Sequence, residues 1–297
     1  MHKIWVFPGQ GSQSVGMADD LLAVGQDKFV LAEQILGWSV MEKCQATPEE
    51  LAQTQFTQPS LYTISAILSD RLKQAGARPD LVAGHSLGEY SALYCAEVFD
   101  FATGLKLVQQ RAQLMAATQG GAMTALIGFD RPELENAIAT VPDVVLANDN
   151  SAEQVVISGT ASAIAQVVSQ VKTKRAIPLP VSGAFHSPLM ADAANTFAAV
   201  LNSVEFADPQ VPVLLNLYPD RPLTQASAIH QAIAQQITAP VRWRELCLYL
   251  AQQYPQAQVL EVGAGKVLTG LVKRNAPSLE LVNLSNLSQV QAYLAEQ

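Results

Sequence analysis

Six short apolar runs rich in Val, Ile and Leu punctuate this chain, at Ile4–Phe7, Leu81–Ala83, Val144–Ala147, Val155–Ile157, Val211–Leu215 and Val259–Val262, with amphipathic stretches between them. A short apolar run bounded by turn-forming residues is a strand buried on both faces. Its alternation with helical periodicity requires a largely parallel sheet covered by helices, so an α/β protein is expected. Three of the runs lead through glycine-containing turns into helical patterns: Phe7-Pro8-Gly9-Gln10-Gly11-Ser12-Gln13, Gly84-His85-Ser86-Leu87-Gly88 and Gly263-Ala264-Gly265-Lys266. In α/β proteins ligands gather at such strand-to-helix turns.

The middle of the chain has another rhythm. Met123–Ile127 reads as strand, Pro132–Ala139 as helix, Val144–Ala147 and Val155–Ile157 as a strand pair, Ala161–Lys172 as helix and Arg175–Leu179 as strand. This βαββαβ order is that of a ferredoxin-like unit. Gly120-Gly121 precedes it and Pro180–Gly183 follows it. Residues 122–182 are therefore expected to form a small subdomain inserted into a large one made of residues 1–121 and 183–297.

Composition narrows the function classes. A chain of 297 residues with 49% hydrophobic side chains can bury cores of this size, which excludes disorder, collagen and coiled coil. Eighteen Lys and Arg against twenty-six Asp and Glu give a net charge of −8, so the surface repels nucleic acid and anionic membranes. Cys44, Cys95 and Cys247 are far apart and form no Cys/His cluster, which argues against a disulfide framework or a metal site. The opening Lys-Ile-Trp-Val-Phe reads as a strand and not as a signal peptide, and no apolar stretch approaches the roughly 18 to 20 residues of a membrane span. A soluble cytoplasmic protein is expected.

Gly84-His85-Ser86-Leu87-Gly88 carries the strongest chemistry. A sharp turn between strand Leu81–Ala83 and helix Glu89–Ala96 would lift the Ser86 hydroxyl clear of the sheet, as in a nucleophile elbow; a glycine turn with a capping serine is the other reading. Such a nucleophile needs a base, and there are four histidines. His2 is terminal, His230 sits in the helical stretch Ala226–Ile237, and His85 adjoins Ser86 with its side chain expected to point elsewhere. His186, held in an irregular segment by Pro188 where the chain re-enters the large subdomain, is the candidate base. Asp130, Glu133, Glu135, Asp143, Asp149 and Glu153, between Ser86 and His186, fall in the inserted unit without distinguishing context, so a dyad whose imidazole is oriented by a backbone carbonyl is favoured.

Arg111 falls within the apolar arc of its helix, opposite Lys106, Gln109, Gln110 and Gln113. A guanidinium there needs a carboxylate, either from the protein in a buried ion pair or from a substrate. The glycine loops match neither a dinucleotide fingerprint nor a P-loop, since Ser14 and Leu268 stand where a third glycine would be and Leu260 where a P-loop would begin. The first loop retains a backbone role, because an oxyanion hole takes one amide after the nucleophile and one from a neighbouring loop, here Leu87 and Gln10. Asn148 and Asn150 follow an apolar run and read as turn-capping residues.

Together these residues resemble the malonyl-CoA:acyl-carrier-protein transacylases of type II fatty acid synthesis, relatives of the acyltransferase domains of polyketide synthases. The resemblance extends over Phe7–Gln13, Gly84–Tyr90, Gln110-Arg111, Asn148–Ser151, Gln154–Gly159, Phe185-His186, Pro240–Trp243 and Glu261–Leu268. It implies an α/β-hydrolase-like large subdomain, a ferredoxin-like small one and a site in the groove between them. It also implies Ser86 as acylated nucleophile, His186 as base and later acid, Arg111 as partner of the malonyl carboxylate, and Gln10 and Leu87 as oxyanion-hole amides. The carbonyl orienting the imidazole would be that of Gln236, or of Gln235 if the register slips. Asn148 and Asn150 would lie near the cleft, and Phe185 resembles the malonyl-selecting form of its motif.

The implied reaction is a ping-pong transfer from malonyl-CoA to the phosphopantetheine thiol of a holo acyl carrier protein, with no metal or other cofactor, by an enzyme expected to be a monomer. Docking an acidic carrier needs a local basic patch: Lys172, Lys174 and Arg175 form the densest cluster and the first candidate, and Lys266, Lys273 and Arg274 the second. A trans-acting polyketide acyltransferase and an acyl-carrier editing hydrolase would use the same scaffold.

Overall fold

The computed structural model describes residues 1–181 and 183–296. Positions 182 and 297, the predicted last residues of the small and large subdomains, lie outside the described residues. Among the described residues ten strands form two sheets: β1 (Lys3–Phe7), β2 (Leu81–Gly84), β3 (Ala122–Phe129), β4 (Val144–Ser151), β5 (Gln154–Gly159), β6 (Thr173–Pro178), β7 (Val213–Leu215), β8 (Tyr218–Leu223), β9 (Gln258–Val262) and β10 (Glu280–Leu284).

The larger sheet runs β10-β9-β1-β2-β7-β8 and is parallel except for the β7–β8 pair. Its central strand shows why the sequence reads as continuous apolar runs. Ile4 and Val6 of β1 pack into one core with Leu81, Ala83 and Val259, while Trp5 and Phe7 pack into another with Val82, Val213 and Leu260. A strand covered on both faces has no solvent side to make polar.

The smaller sheet is antiparallel in the order β4-β5-β3-β6, the arrangement of a ferredoxin-like unit. Leu126, Val155 and Ile157 pack on one face against Leu134, Ala137, Ile164 and Val167 of the helices Arg131–Thr140 and Ala161–Gln170. Met123, Ala125 and Val156 look the other way and join the core of the large subdomain. The seam is reinforced at Asp149, whose buried carboxylate takes Arg131 Nη2 at 2.8 Å from the small subdomain and Arg244 Nε at 3.0 Å from helix Trp243–Gln253. Next to it Asp149 N donates to Val241 O and Val241 N to Ala147 O, at 2.9 and 2.8 Å.

The expected elements hold with shifted ends: Val211 and Pro212 precede β7, the second helix of the small subdomain stops at Gln170, and β6 runs Thr173–Pro178. β8 and β10 had no assignment in the sequence, nor did the helix Thr54–Gln74, which packs against helix Phe101–Ala117. Among the described residues no helix is long and apolar enough to cross a membrane.

The turn after β2 sits directly on β1. A Cβ at Gly88 would lie 2.0 Å from the Phe7 carbonyl oxygen, so backbone meets backbone there with no room for a side chain. Gly88→Ala is expected to destabilise the fold by about 3 kcal/mol or more, because both partners are main chain and cannot swing aside. The denaturant midpoint of the variant against the parent chain measures it, and an unchanged midpoint would contradict this packing.

Candidate active site

Eight of the nine residues singled out in the sequence, Gln10, Ser86, Leu87, Arg111, Asn148, Asn150, Phe185 and His186, line one cavity of about 350 Å³ between the subdomains. The ninth, Gln236, is buried behind it.

Ser86 occupies the tip of the strand-to-helix turn, between β2 and helix Gly88–Cys95, at φ 52°. A non-glycine residue in the left-handed region costs about 1–3 kcal/mol, so the turn must be held from outside. Asn216 does so: its Oδ1 accepts from Ser86 N at 2.8 Å and its Nδ2 donates to Gly84 O at 2.7 Å. Ser86 is thereby distinguished from a capping serine, since its hydroxyl faces the cavity and meets His186 Nε2 at 2.8 Å.

The other imidazole nitrogen fixes the tautomer. His186 Nδ1 lies 3.1 Å from Gln236 O and 3.0 Å from Ala239 O, both of which can only accept, so Nδ1 carries the hydrogen and Nε2 is left to accept from Ser86. The register is that of Gln236 and not Gln235, whose carbonyl instead accepts from Thr238 and Ala239. Among the described residues no Asp or Glu completes a triad at the ring; Asp149, among the acids considered, is taken by two arginines. Burial, followed by the Arg111 charge, pushes the His186 imidazole down to about 3. It is therefore neutral near pH 7, as a base must be to take a proton.

Arg111 is fully buried on helix Phe101–Ala117. Its hydrogen-bond partners are all neutral: Nη1 donates to Gln58 Oε1 at 2.7 Å, Nε to Gln236 Oε1 at 3.1 Å and Nη2 to Ser86 Oγ at 3.0 Å. Of the two readings open in the sequence, the buried ion pair is not what the fold builds. Burial lowers the guanidinium pKa, with Tyr90 and Glu89 acting in the opposite direction.

Asn148 and Asn150 lie in β4, and the turn-capping reading is corrected here. β4 has irregular register against β5 between Leu146 and Asn148 and again between Asp149 and Ser151, and such bulges re-aim side chains. Asn150 Oδ1 bonds His85 Nε2 at 2.8 Å, which turns His85 away from Ser86 as expected. Among the described residues neither Gln10 N nor Leu87 N donates to another protein group, and both residues line the cavity.

Sequence reasoning missed Gln58, Asn216, Glu89 and Ala239. Glu89 is buried in the helix that follows Ser86, accepting from Asn216 N and from Gln236 Nε2, and burial pushes its carboxyl up to about 7. Its position beside the serine motif was the one signal available. Among the described residues no group of three or more His, Cys, Asp or Glu could hold a metal ion.

A hydroxyl donating to a neutral, oriented imidazole, with spare amides nearby and a buried cation 3.0 Å away, is arranged for acyl transfer through serine. Residues 4–288 match the acyl transferase domain family. The chain belongs to that family. It is 52% identical to the malonyl CoA-acyl carrier protein transacylase of Synechocystis sp., over 98% of this chain and all of the relative. The crystal structure of the Synechocystis enzyme superposes with a TM-score of 0.95, covering 98% of this chain and 100% of that one. A polyketide biosynthesis malonyl CoA-acyl carrier protein transacylase from Bacillus subtilis is 40% identical over 91% of this chain and 96% of its own. A malonyl-transacylase solved in complex with its type II polyketide acyl-carrier protein is 38% identical, with a TM-score of 0.92 and full coverage of both chains. Two subdomains, one α/β-hydrolase-like and one ferredoxin-like, are the architecture of this acyl transferase.

The imidazole gives a direct test. The unfolded ring takes up a proton near pH 6.5 and the folded one near 3, so the unfolded state binds more protons in that window and stability falls as pH falls through it. The ring-nitrogen NMR signals of His186 are expected to report a neutral, Nδ1-protonated ring throughout pH 5–8; titration near 6.5 would contradict the burial of this site.

Proposed function

We propose that this acyl transferase moves the malonyl group of malonyl-CoA to the phosphopantetheine thiol of a holo acyl carrier protein, supplying extender units for fatty acid synthesis. Arg111 carries the reading. A fully buried guanidinium without a carboxylate of its own, 3.0 Å from the serine oxygen, lacks the partner that an acyl group ending in a carboxylate would bring. The name and 52% identity of the Synechocystis relative support the same substrate pair.

In the first half-reaction the Ser86 hydroxyl gives its proton to His186 Nε2 as its oxygen attacks the thioester carbonyl. The oxyanion is taken by the amides of Leu87 and Gln10, the C–S bond breaks, and the CoA sulfur leaves with the proton from His186. In the second, the carrier's thiol gives its proton to His186 and attacks the serine ester, whose oxygen recovers the proton. Gln236 and Ala239 supply the carbonyls that hold the ring. Arg111 binds the malonyl carboxylate and keeps water from that end of the acyl group. Asn148, Asn150 and Phe185 wall the cleft, and no metal or other cofactor is required by any step.

The subdomain limits are proposed as residues 1–121 with 183–297, and 122–182, supported by the start of β3 at Ala122 and the end of β6 at Pro178. We place the enzyme in the cytoplasm as a monomer. Its three cysteines are buried and unpaired, with thiols pushed up to about 12 by burial. For the carrier, the cluster Lys266, Lys273 and Arg274 is favoured over Lys172, Lys174 and Arg175, because it flanks Val267, Leu268 and Leu271, which line the cavity.

Intact mass after mixing with malonyl-CoA is expected to show a malonyl adduct that is absent in Ser86→Ala and that moves to added holo carrier protein. CoA release without transfer would instead indicate a hydrolase. Arg111→Ala should reduce malonyl relative to acetyl acylation by about 10²- to 10³-fold, the equivalent of a charge-assisted pair. Lys273→Glu with Arg274→Glu should raise the KM for carrier more than that for malonyl-CoA; equal KM values would place docking elsewhere.

A further inference from the structure

The side chain of Gln236 makes three hydrogen bonds at the site in addition to the one made by its main chain. Nε2 donates to Ser86 O at 2.8 Å and to Glu89 Oε2, while Oε1 accepts from Arg111 Nε at 3.1 Å. Its carbonyl accepts from His186 Nδ1 at 3.1 Å. One residue therefore touches the guanidinium, the imidazole and the main chain of the serine.

A primary amide can sit in its pocket in either of two orientations, and something must choose. An ionised carboxylate and a main-chain carbonyl can only accept, so Glu89 and Ser86 O together draw the NH2 of Gln236 towards themselves and leave the amide oxygen facing the Nε–H of Arg111. With the amide reversed, NH2 would oppose the Nε–H of a buried cation and the carboxylate would face an oxygen. Both contacts are repulsive where the effective dielectric is low. The second Glu89 oxygen takes Asn216 N, the main chain of the residue whose side chain pins the Ser86 turn.

We propose that Glu89 is a positioning residue for the transfer reaction: by anchoring the side-chain amide of Gln236 it sets the direction of the Arg111 guanidinium, and so the preference for an acyl group bearing a carboxylate. The inference rests on the malonyl reading given above. Glu89 touches neither substrate nor reacting atoms and acts through Gln236. The charged and titratable groups around it are Arg111, on helix Phe101–Ala117, and Tyr90, on its own helix; Asn216 and Gln236 are neutral. With its carboxyl pushed up to about 7, Glu89 exchanges its proton within the working range, and a protonated oxygen that turns donor leaves the Ser86 carbonyl as the remaining acceptor holding the NH2 of Gln236.

Acylation of Ser86 by malonyl-CoA and by acetyl-CoA, followed by rapid quench and intact mass, separates positioning from simple support. Glu89→Gln is expected to lower kcat/KM for malonyl-CoA by roughly 10- to 100-fold, the scale at which residues behind a site act, and to lower it less for acetyl-CoA. Glu89→Gln combined with Gln236→Ala should lose little more than the larger single loss, because both act through one amide. In the unaltered protein the malonyl-to-acetyl ratio should drop on acidification through about pH 7, and this step decides the matter even if Glu89→Gln does not fold. Equal losses for both donors, additive losses in the double variant, or a ratio independent of pH would each overturn the role. Failure of the unaltered protein to form any malonyl adduct would overturn the malonyl reading and this inference with it. An adduct with an unaltered ratio would overturn the positioning role alone.

Discussion

Where β1 passes beneath the turn that follows β2, the Phe7 carbonyl lies so close to Gly88 that no side chain fits between them, and His85 N bonds the same oxygen at 3.0 Å. The turn has nowhere to relax. Ser86 is consequently held in the left-handed region, and the strain is met by Asn216 gripping the turn at Gly84 O and at the amide of the serine itself. His186 is also at positive φ, 58°, and its amide is anchored to Ile237 O at 3.1 Å. Both reacting side chains thus stand on backbone that the surrounding packing over-determines, which is how strained conformations persist at sites.

The electrostatic design follows from burial. A guanidinium removed from water is costly unless its donors find partners, and here two amide oxygens and a hydroxyl take three of its five N–H groups while the carboxyl of Glu89 stands one residue further out behind Gln236. A carboxylate placed directly on Arg111 would have been a better buried pair and would have filled the position that an acidic acyl group needs. The same cation helps keep His186 neutral, so the charge proposed to bind the acyl carboxylate also lowers the affinity of the imidazole for a proton.

Much of this was legible because it is local. Gly84–Gly88 carries its strand, turn and helix in adjacent residues, and elimination among four histidines reached His186. Gln236 came only through family resemblance, since a glutamine at the end of an ordinary amphipathic helix has no local mark. Gln58 and Asn216 act across 53 and 130 residues, and nothing in their neighbourhoods announces it. Gln58 lies on helix Thr54–Gln74, which is buried nearly all round, contains Pro59 and so lacks the amphipathic period that reveals a helix. β8 contains two prolines, which a sheet tolerates at an edge but which read as a loop. Asn148 and Asn150 favour turns intrinsically; the bulged pairing of β4, a tertiary property, placed them in a strand.

The ladder between Asn148 and Val241 and the clasp of Asp149 on Arg131 and Arg244 join the small sheet to the segment that follows the acceptors of the imidazole, Gln236 and Ala239. The roof of the cleft and the support of the base are therefore sewn to the same short piece of chain. In terms of exchangeable parts, the small subdomain is not a cassette: a chimera cut at its own ends would sever it from the counterpart it was fitted to. The unit that can be traded between relatives with its register intact is the small subdomain together with residues 236–244.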